Sequence, residues 1–205
     1  AEVYPSANDG FFIIKPIKEK KWGYSVERVD RNMTTLWEKR FMPEKGFVGV
    51  EAIESGGDRI IVIQLVKPKR FTKKGKGEIV CMADKSGDIL YKYPLFDGEV
   101  TNIPSSFLID DKNNIVSGGM YFEGERMSSK NSDGLFFLKL SPEGKKIIYN
   151  RVDWEAGIQE LLKATSKKIT IASKPKVFFH KIVQSKEGGY QIISETFRKS
   201  VSVGL

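Results

Sequence analysis

The residues best equipped for chemistry fall in one run, Lys67-Pro68-Lys69-Arg70-Phe71-Thr72-Lys73-Lys74-Gly75-Lys76. Clustered ammonium and guanidinium groups make a surface that attracts anions, and Phe71, with Trp22 elsewhere in the chain, offers a ring face for stacking. The same run also reads as a solvated loop that keeps like molecules apart. His180 is the single histidine, and in Val177-Phe178-Phe179-His180-Lys181-Ile182 it alternates with apolar neighbours as a strand residue does. That position describes a structural histidine, since no adjacent residue type completes a nucleophilic pair with it. Cys81, the single cysteine, sits mid-strand between Val80 and Met82 and reads as a small core residue. One cysteine excludes an intramolecular disulfide, and one His with one Cys excludes the two-His and cysteine-rich zinc motifs. The carboxylate pairs Asp110/Asp111 and Glu51/Glu54 have the residue types for acid–base work across a cleft. Asp110/Asp111, however, belong to turn chemistry, where Asp bonds its own backbone. Asp84-Lys85-Ser86-Gly87-Asp88 lacks the further ligands of a calcium loop, and no phosphate-cradling glycine loop occurs. The sequence therefore assigns no catalytic residue, no metal ligand and no cofactor.

Positioning that basic run requires a scaffold, and the composition says which kind. The chain has 205 residues, 40% hydrophobic and 29% charged, with a net charge of +8 and a pI near 9.4. It is too apolar for a disordered chain, and no stretch approaches the ~20 consecutive apolar residues of a bilayer-spanning helix. Short apolar runs such as Phe11–Ile14, Ile60–Ile63 and Tyr190–Ile193 alternate with Gly, Asp, Asn and Ser clusters, the pattern of many short antiparallel strands. One stretch reads as helix: Trp154, Ile158, Leu161 and Leu162 share a face over 154–163, with Asp153 as N-cap.

The strands repeat. Aligning Asp30, Asp84 and Ser141 places Gly23, Gly77 and Gly134 seven residues before them and Leu36, Leu90 and Ile147 six residues after. Trp37, Tyr91 and Ile148 come next, and turn residues fill the interval. Each is a strand–turn–strand hairpin, and a second hairpin precedes it, with turns at 6–10, 54–58, 110–114 and 186–189. Two hairpins per ~55-residue period make a four-stranded antiparallel unit, the blade of a β-propeller. The expected fold is an all-β, propeller-type domain over 1–205, with repeats at 1–47, 48–104, 105–176 and an incomplete 177–205. About three and a half blades are present, with the helix as an insertion outside them. Closed propellers have ~4–8 blades, which favours continuation of the natural protein past Leu205.

Asp133-Gly134-Leu135-Phe136-Phe137-Leu138-Lys139-Leu140-Ser141-Pro142-Glu143-Gly144 resembles the outer hairpin of the propeller repeats common in exported bacterial proteins. Glu187-Gly188-Gly189-Tyr190-Gln191-Ile192-Ile193 resembles the inner hairpin of the same repeats. The resemblance implies a propeller fold and an exported setting, in the periplasm, at the outer membrane or on the cell surface. An N-terminus at Ala1 with no charged or apolar leader fits a processed chain. It implies no activity, because such repeats serve many binding and scaffold roles.

In a four-stranded blade the short turns leave one end and the longer connections the other. The connections at 15–22, 38–49, 67–76, 95–105, 122–133 and 151–178 together carry +10, whereas the short turns are slightly negative. The expected function is a non-catalytic binding or scaffold module whose basic long-loop face engages a protein, an acidic glycan or another anionic partner. Lys67, Lys69, Arg70, Phe71, Lys73, Lys74 and Lys76 are its expected contact residues. Nucleic acid is disfavoured, because two aromatics do not make a stacking track, and contact with a membrane surface stays open. The alternative is a carbohydrate-active enzyme with carboxylates near the propeller axis.

Overall fold

A computed structural model of the chain describes residues 1–69, 75–125, 132–154, 157 and 176–197. The chain is all-β, and its sheets are antiparallel apart from one parallel contact. The strands are β1 (Glu2–Pro5), β2 (Phe11–Lys18), β3 (Trp22–Val29), β4 (Thr35–Phe41), β5 (Phe47–Gly56), β6 (Arg59–Lys67) and β7 (Lys76–Ala83). They continue with β8 (Ile89–Pro94), β9 (Val100–Ile109), β10 (Ile115–Glu123), β11 (Gly134–Leu140), β12 (Lys146–Asp153), β13 (Lys176–Gln184) and β14 (Tyr190–Phe197). β1–β4, β5–β8 and β9–β12 are three four-stranded meanders, and β13–β14 is a hairpin. A single parallel bridge, Trp22 opposite Phe47, links the first two meanders at one end.

The register repeats with the strands. Gly23, Gly77 and Gly134 are the second, second and first residues of β3, β7 and β11, and Asp30, Asp84 and Ser141 begin the turns that follow. Leu36, Leu90 and Ile147 are each skipped in the pairing, so the aligned aliphatics are β-bulges on the outer strands, exposed to solvent. A second bulge recurs five residues before the end of the inner-hairpin strand or its turn, at Glu51, Ser105 and His180.

Alternation in the middle meander explains how the units associate. Ile60 and Val62 of β6 and Val80 and Met82 of β7 pack with Phe12, Ile14, Tyr24 and Val26 of the first meander. Their sequence neighbours Ile61, Ile63, Ile79 and Cys81 face the opposite way and pack with Ile115, Phe136, Leu138 and Leu140 of the third. A strand buried on both faces reads as a continuous apolar run, which is what Arg59-Ile60-Ile61-Val62-Ile63 is. Full burial of such side chains contributes about 1.5–3 kcal/mol each, so the two seams hold the meanders together.

The turn end of the first seam is polar and closed. Arg28 and Asp84, both buried, form an ion pair at 2.6 Å. Ser6 Oγ and Asn8 Nδ2 donate to the other carboxylate oxygen at 2.9 and 2.8 Å, and the Trp37 indole N–H donates to the Asp84 carbonyl at 2.7 Å. The remaining Arg28 N–H groups reach the carbonyls of Asn8, Asp9 and Val29. Trp37 lies flat on Gly87 (φ +70°), where a Cβ would come within 2.7 Å of the ring. Tyr91, its counterpart one repeat on, lies on Gly144 (φ +80°), where a Cβ would come within 2.5 Å of the ring. Only glycine tolerates both that φ and that approach.

The third meander meets β13–β14 through a smaller contact. Tyr190 donates to Asp110 Oδ2 at 2.7 Å, and Lys139 bridges both, at 2.7 Å from the phenol oxygen and 3.3 Å from the carboxylate. Ile192 reaches Gly118 across the same junction. The helix expected over 154–163 lies outside the described residues except for Trp154 and Gly157. Trp154 itself is fully buried, its indole N–H bonded to Ser132 at 2.9 Å.

Two outcomes follow from these junctions. Arg28→Met or Asp84→Leu alone strands a buried charge and should cost about 3–5 kcal/mol in urea denaturation, while the double variant should cost much less than the sum. Additive losses would show that the two charges are not coupled. At Asp110, burial works to raise the pKa, but donation from Tyr190, the Asn114 side chain and the backbone N–H groups of Asn114 and Lys112 outweighs it. The net effect lowers the pKa from 3.8 to about 2. A depressed carboxylate stabilises the fold above its unfolded pKa and loses that contribution as pH falls through the folded value. The stability gap between wild type and Asp110→Asn should therefore shrink by about 2 kcal/mol between pH 4 and pH 2. A gap independent of pH would contradict the assignment.

Candidate functional site

The basic run starts at the end of β6 and finishes at the start of β7, two strands whose pairing ends at Val66 opposite Lys76. Lys67 closes β6 and is half-buried, Lys69 is exposed, and Lys76 opens β7. Arg70, Phe71, Lys73 and Lys74 lie outside the described residues. The structure adds Lys45, from the β4–β5 connection. Lys45, Lys67 and Lys76 line one open cavity of about 560 Å³, floored by Val66, Pro68 and Pro94. Glu78 and Glu125 also border it, with Glu78 engaged by Gln64 and, at 3.6 Å, by Lys92. Among the described residues, the ammonium groups of Lys45, Lys67, Lys69 and Lys76 have no ion pair and no hydrogen bond. Sequence reasoning missed Lys45 because its connection is only weakly charged in total, and nothing local shows that it folds beside β6.

The charge summed over the long connections is not spread evenly over the three meanders. The segment 15–22 is not a long connection: Lys15 and Lys18 belong to β2, Trp22 to β3, and only 19–21 lie between them. Lys15 is bonded to Glu27 and Arg40 to Glu19, so their charges are compensated. On the third meander the same end is acidic. Glu99, Val100, Tyr121, Glu123, Arg151 and Asp153 line a cavity of about 590 Å³. There Tyr121 donates to Asp153, and the Arg151 guanidinium lies 5.5 Å from the Tyr121 ring centre. Burial first, and then Asp153, push the Tyr121 phenol above its ordinary pKa, so it stays a donor. Lys18, Lys20 and Lys21 have no ion pair among the described residues, so uncompensated basic charge lies at this end of both the first and the middle meander.

The other residues singled out from the sequence are placed as follows. His180, expected from its apolar neighbours to be buried or half-buried, is the bulge residue of β13 and exposed, 3.7 Å from Glu195 and edge-on to Phe178. Asp110 is a junction residue and Asp84 an ion-pair partner, which accounts for two of the acidic turns. Glu51 borders an inter-meander cavity, and Glu54, also on β5, lies opposite Ile61 of β6. Among the described residues no three His, Cys, Asp or Glu side chains converge as metal ligands would.

The full length of the chain, residues 1–205, matches a family described as "Family of unknown function (DUF6770)". The chain belongs to this family. No curated protein matches the chain. The family description carries no activity, so what this DUF6770 chain does must be argued from the geometry above.

Cys81 is fully buried, and burial above all raises its thiol pKa, against weaker opposing contacts from Tyr91 and Arg59. A thiol that is both inaccessible and protonated is a poor nucleophile. Ellman's reagent should label native protein only at the rate of global unfolding and label urea-unfolded protein at once. Fast labelling of the native protein would place the thiol at the surface.

Proposed function

We propose that this chain is a non-catalytic binding module of propeller-type repeats, whose long-connection end engages an anionic partner around the β6–β7 connection. The observation that carries the reading is the group of ammonium side chains at Lys45, Lys67 and Lys76, unpaired among the described residues and gathered on one open, apolar-floored cavity. Unpaired like charges held close together raise the local potential and cost free energy unless an anion approaches. The propeller reading is supported by consecutive four-stranded meanders that stack face to face, with repeating bulges and aromatic-on-glycine contacts at each seam. The exported setting rests on the repeat resemblance. The partner is an acidic glycan or an acidic protein surface, recognised by charge at the rim of the cavity.

Replacing Lys45, Lys67, Lys69 and Lys76 with Gln tests it. Wild-type protein should be retained on a heparin matrix and elute earlier as salt rises, since exposed charges are screened over ~8–10 Å. The variant should elute at markedly lower salt with an unchanged melting temperature, because no ion pair is lost. Identical elution of the two proteins would leave the lysines as solubilising surface.

A further inference from the structure

Between the second and third meanders, next to the basic cavity, lies a second one of about 320 Å³. Its walls are mainly apolar, with Ile63 and Leu65 from β6, Leu95 from the β8–β9 connection, Ile103 and Pro104 from β9, and Met120 from β10. Lys67 and Gly77 border both cavities, so one ammonium group stands where the two meet. Inside is Asn102, only 6% exposed. The Tyr149 hydroxyl donates to its amide oxygen at 2.9 Å, and among the described residues the amide nitrogen has no hydrogen-bond partner. The amide nitrogen is not sealed from the cavity, so its N–H is available to a water or to a ligand oxygen that accepts from it.

These three features specify a ligand. We propose that the cavity between the second and third meanders binds the apolar body of an amphipathic anion, its acidic head at Lys67 and an oxygen along its body accepting from Asn102. Size agrees: the volume holds about ten water-sized groups, the bulk of a short acyl chain with a linking carbonyl. Glu51, also on the lining, faces the same space and disfavours a second negative charge on the body of the ligand. The inference deepens the proposed anion-binding reading and rests on it for the role of Lys67. The end of the long connections would then select anions by their attached apolar group as well as by charge.

The test uses N-acylglycines, which carry a carboxylate, an amide carbonyl and an alkyl chain of chosen length. Calorimetry with the intact chain should show N-hexanoylglycine binding at least tenfold tighter than N-acetylglycine. Each buried methylene should contribute roughly a threefold to fourfold gain. The uncharged N-hexanoylglycinamide should bind at least fivefold more weakly than the acid. Lys67→Gln should remove that preference for the acid, Lys67→Arg should restore it, and Lys145→Gln, in the exposed β11–β12 turn, should change nothing. Ile103→Trp, which fills the cavity, should abolish N-hexanoylglycine binding while leaving heparin retention intact. Should that variant not fold, the chain-length series on the wild type decides alone. Equal affinity for the acetyl and hexanoyl compounds, or no binding of either, overturns the proposal. If heparin retention still depends on the lysines in that case, the broader anion-binding reading stands. If retention is flat while the chain-length series holds, it is that reading which fails.

Discussion

The rest of the architecture depends on stacking sheets whose two faces are both buried, and the Arg28–Asp84 pair shows how that stacking is kept in register. Apolar faces attract without direction, so the first and second meanders, joined through Ile60, Val62, Val80 and Met82, are free to slide on apolar grounds alone. A charge removed from water at each side of the seam ends that freedom. Any offset that separates Arg28 from Asp84 leaves two ions desolvated and unpaired, a cost of several kcal/mol, whereas the pair itself adds little over a well-packed apolar contact. The flat seating of Trp37 on Gly87 works in the same direction, because it fits only one relative position. The second seam uses Tyr91 on Gly144 and the third contact uses Tyr190 and Lys139 on Asp110, so each junction has its own polar or aromatic key.

This division of labour separates the two ends of the molecule. Turn residues at one end are short, satisfied and tied across the seams: Ser6, Asn8, Asp84 and Asp110 spend their hydrogen-bonding capacity on neighbouring units. The opposite end carries the connections between strands, and there the side chains are less committed. Lys45, Lys67 and Lys76 project around a cavity from two connections that no short-range rule brings together. A rigid end that fixes the units allows the other end to vary in loop length and charge without loss of the core. The acidic cavity on the third meander and the basic one on the second are two such variations on a common frame.

The bulges show a further constraint. Leu36, Leu90 and Ile147 are apolar yet exposed, each on an outer strand that pairs on one side only among the described residues. An extra residue in an edge strand interrupts the regular row of donors and acceptors and increases its twist, which discourages pairing with another chain. Conserving total burial is therefore not what fixes these positions; the local irregularity is.

How much of this was legible without coordinates follows from the range over which each signal acts. Hairpins, turn residues and the repeat of Gly23, Gly77 and Gly134 were readable because strand alternation and turn chemistry are local, acting over two to five residues. The double-sided burial of Ile60–Ile63 was also implicit in an unbroken apolar run. Asp84 and Arg28 looked like ordinary turn and strand residues, since nothing within ten positions of either marks its partner 56 residues away. The aligned aliphatics were visible as a pattern, but their role as bulges depends on which residue the partner strand skips. The basic run was plain from its charge; the contribution of Lys45, the compensation of Lys15 by Glu27, and the apolar cavity beside Lys67 were decided by packing between units. Residue type and local spacing determined the strands, the turns and the sign of the charge. Only the tertiary structure decided which charges stay unpaired, because pairing depends on side chains brought together from distant strands.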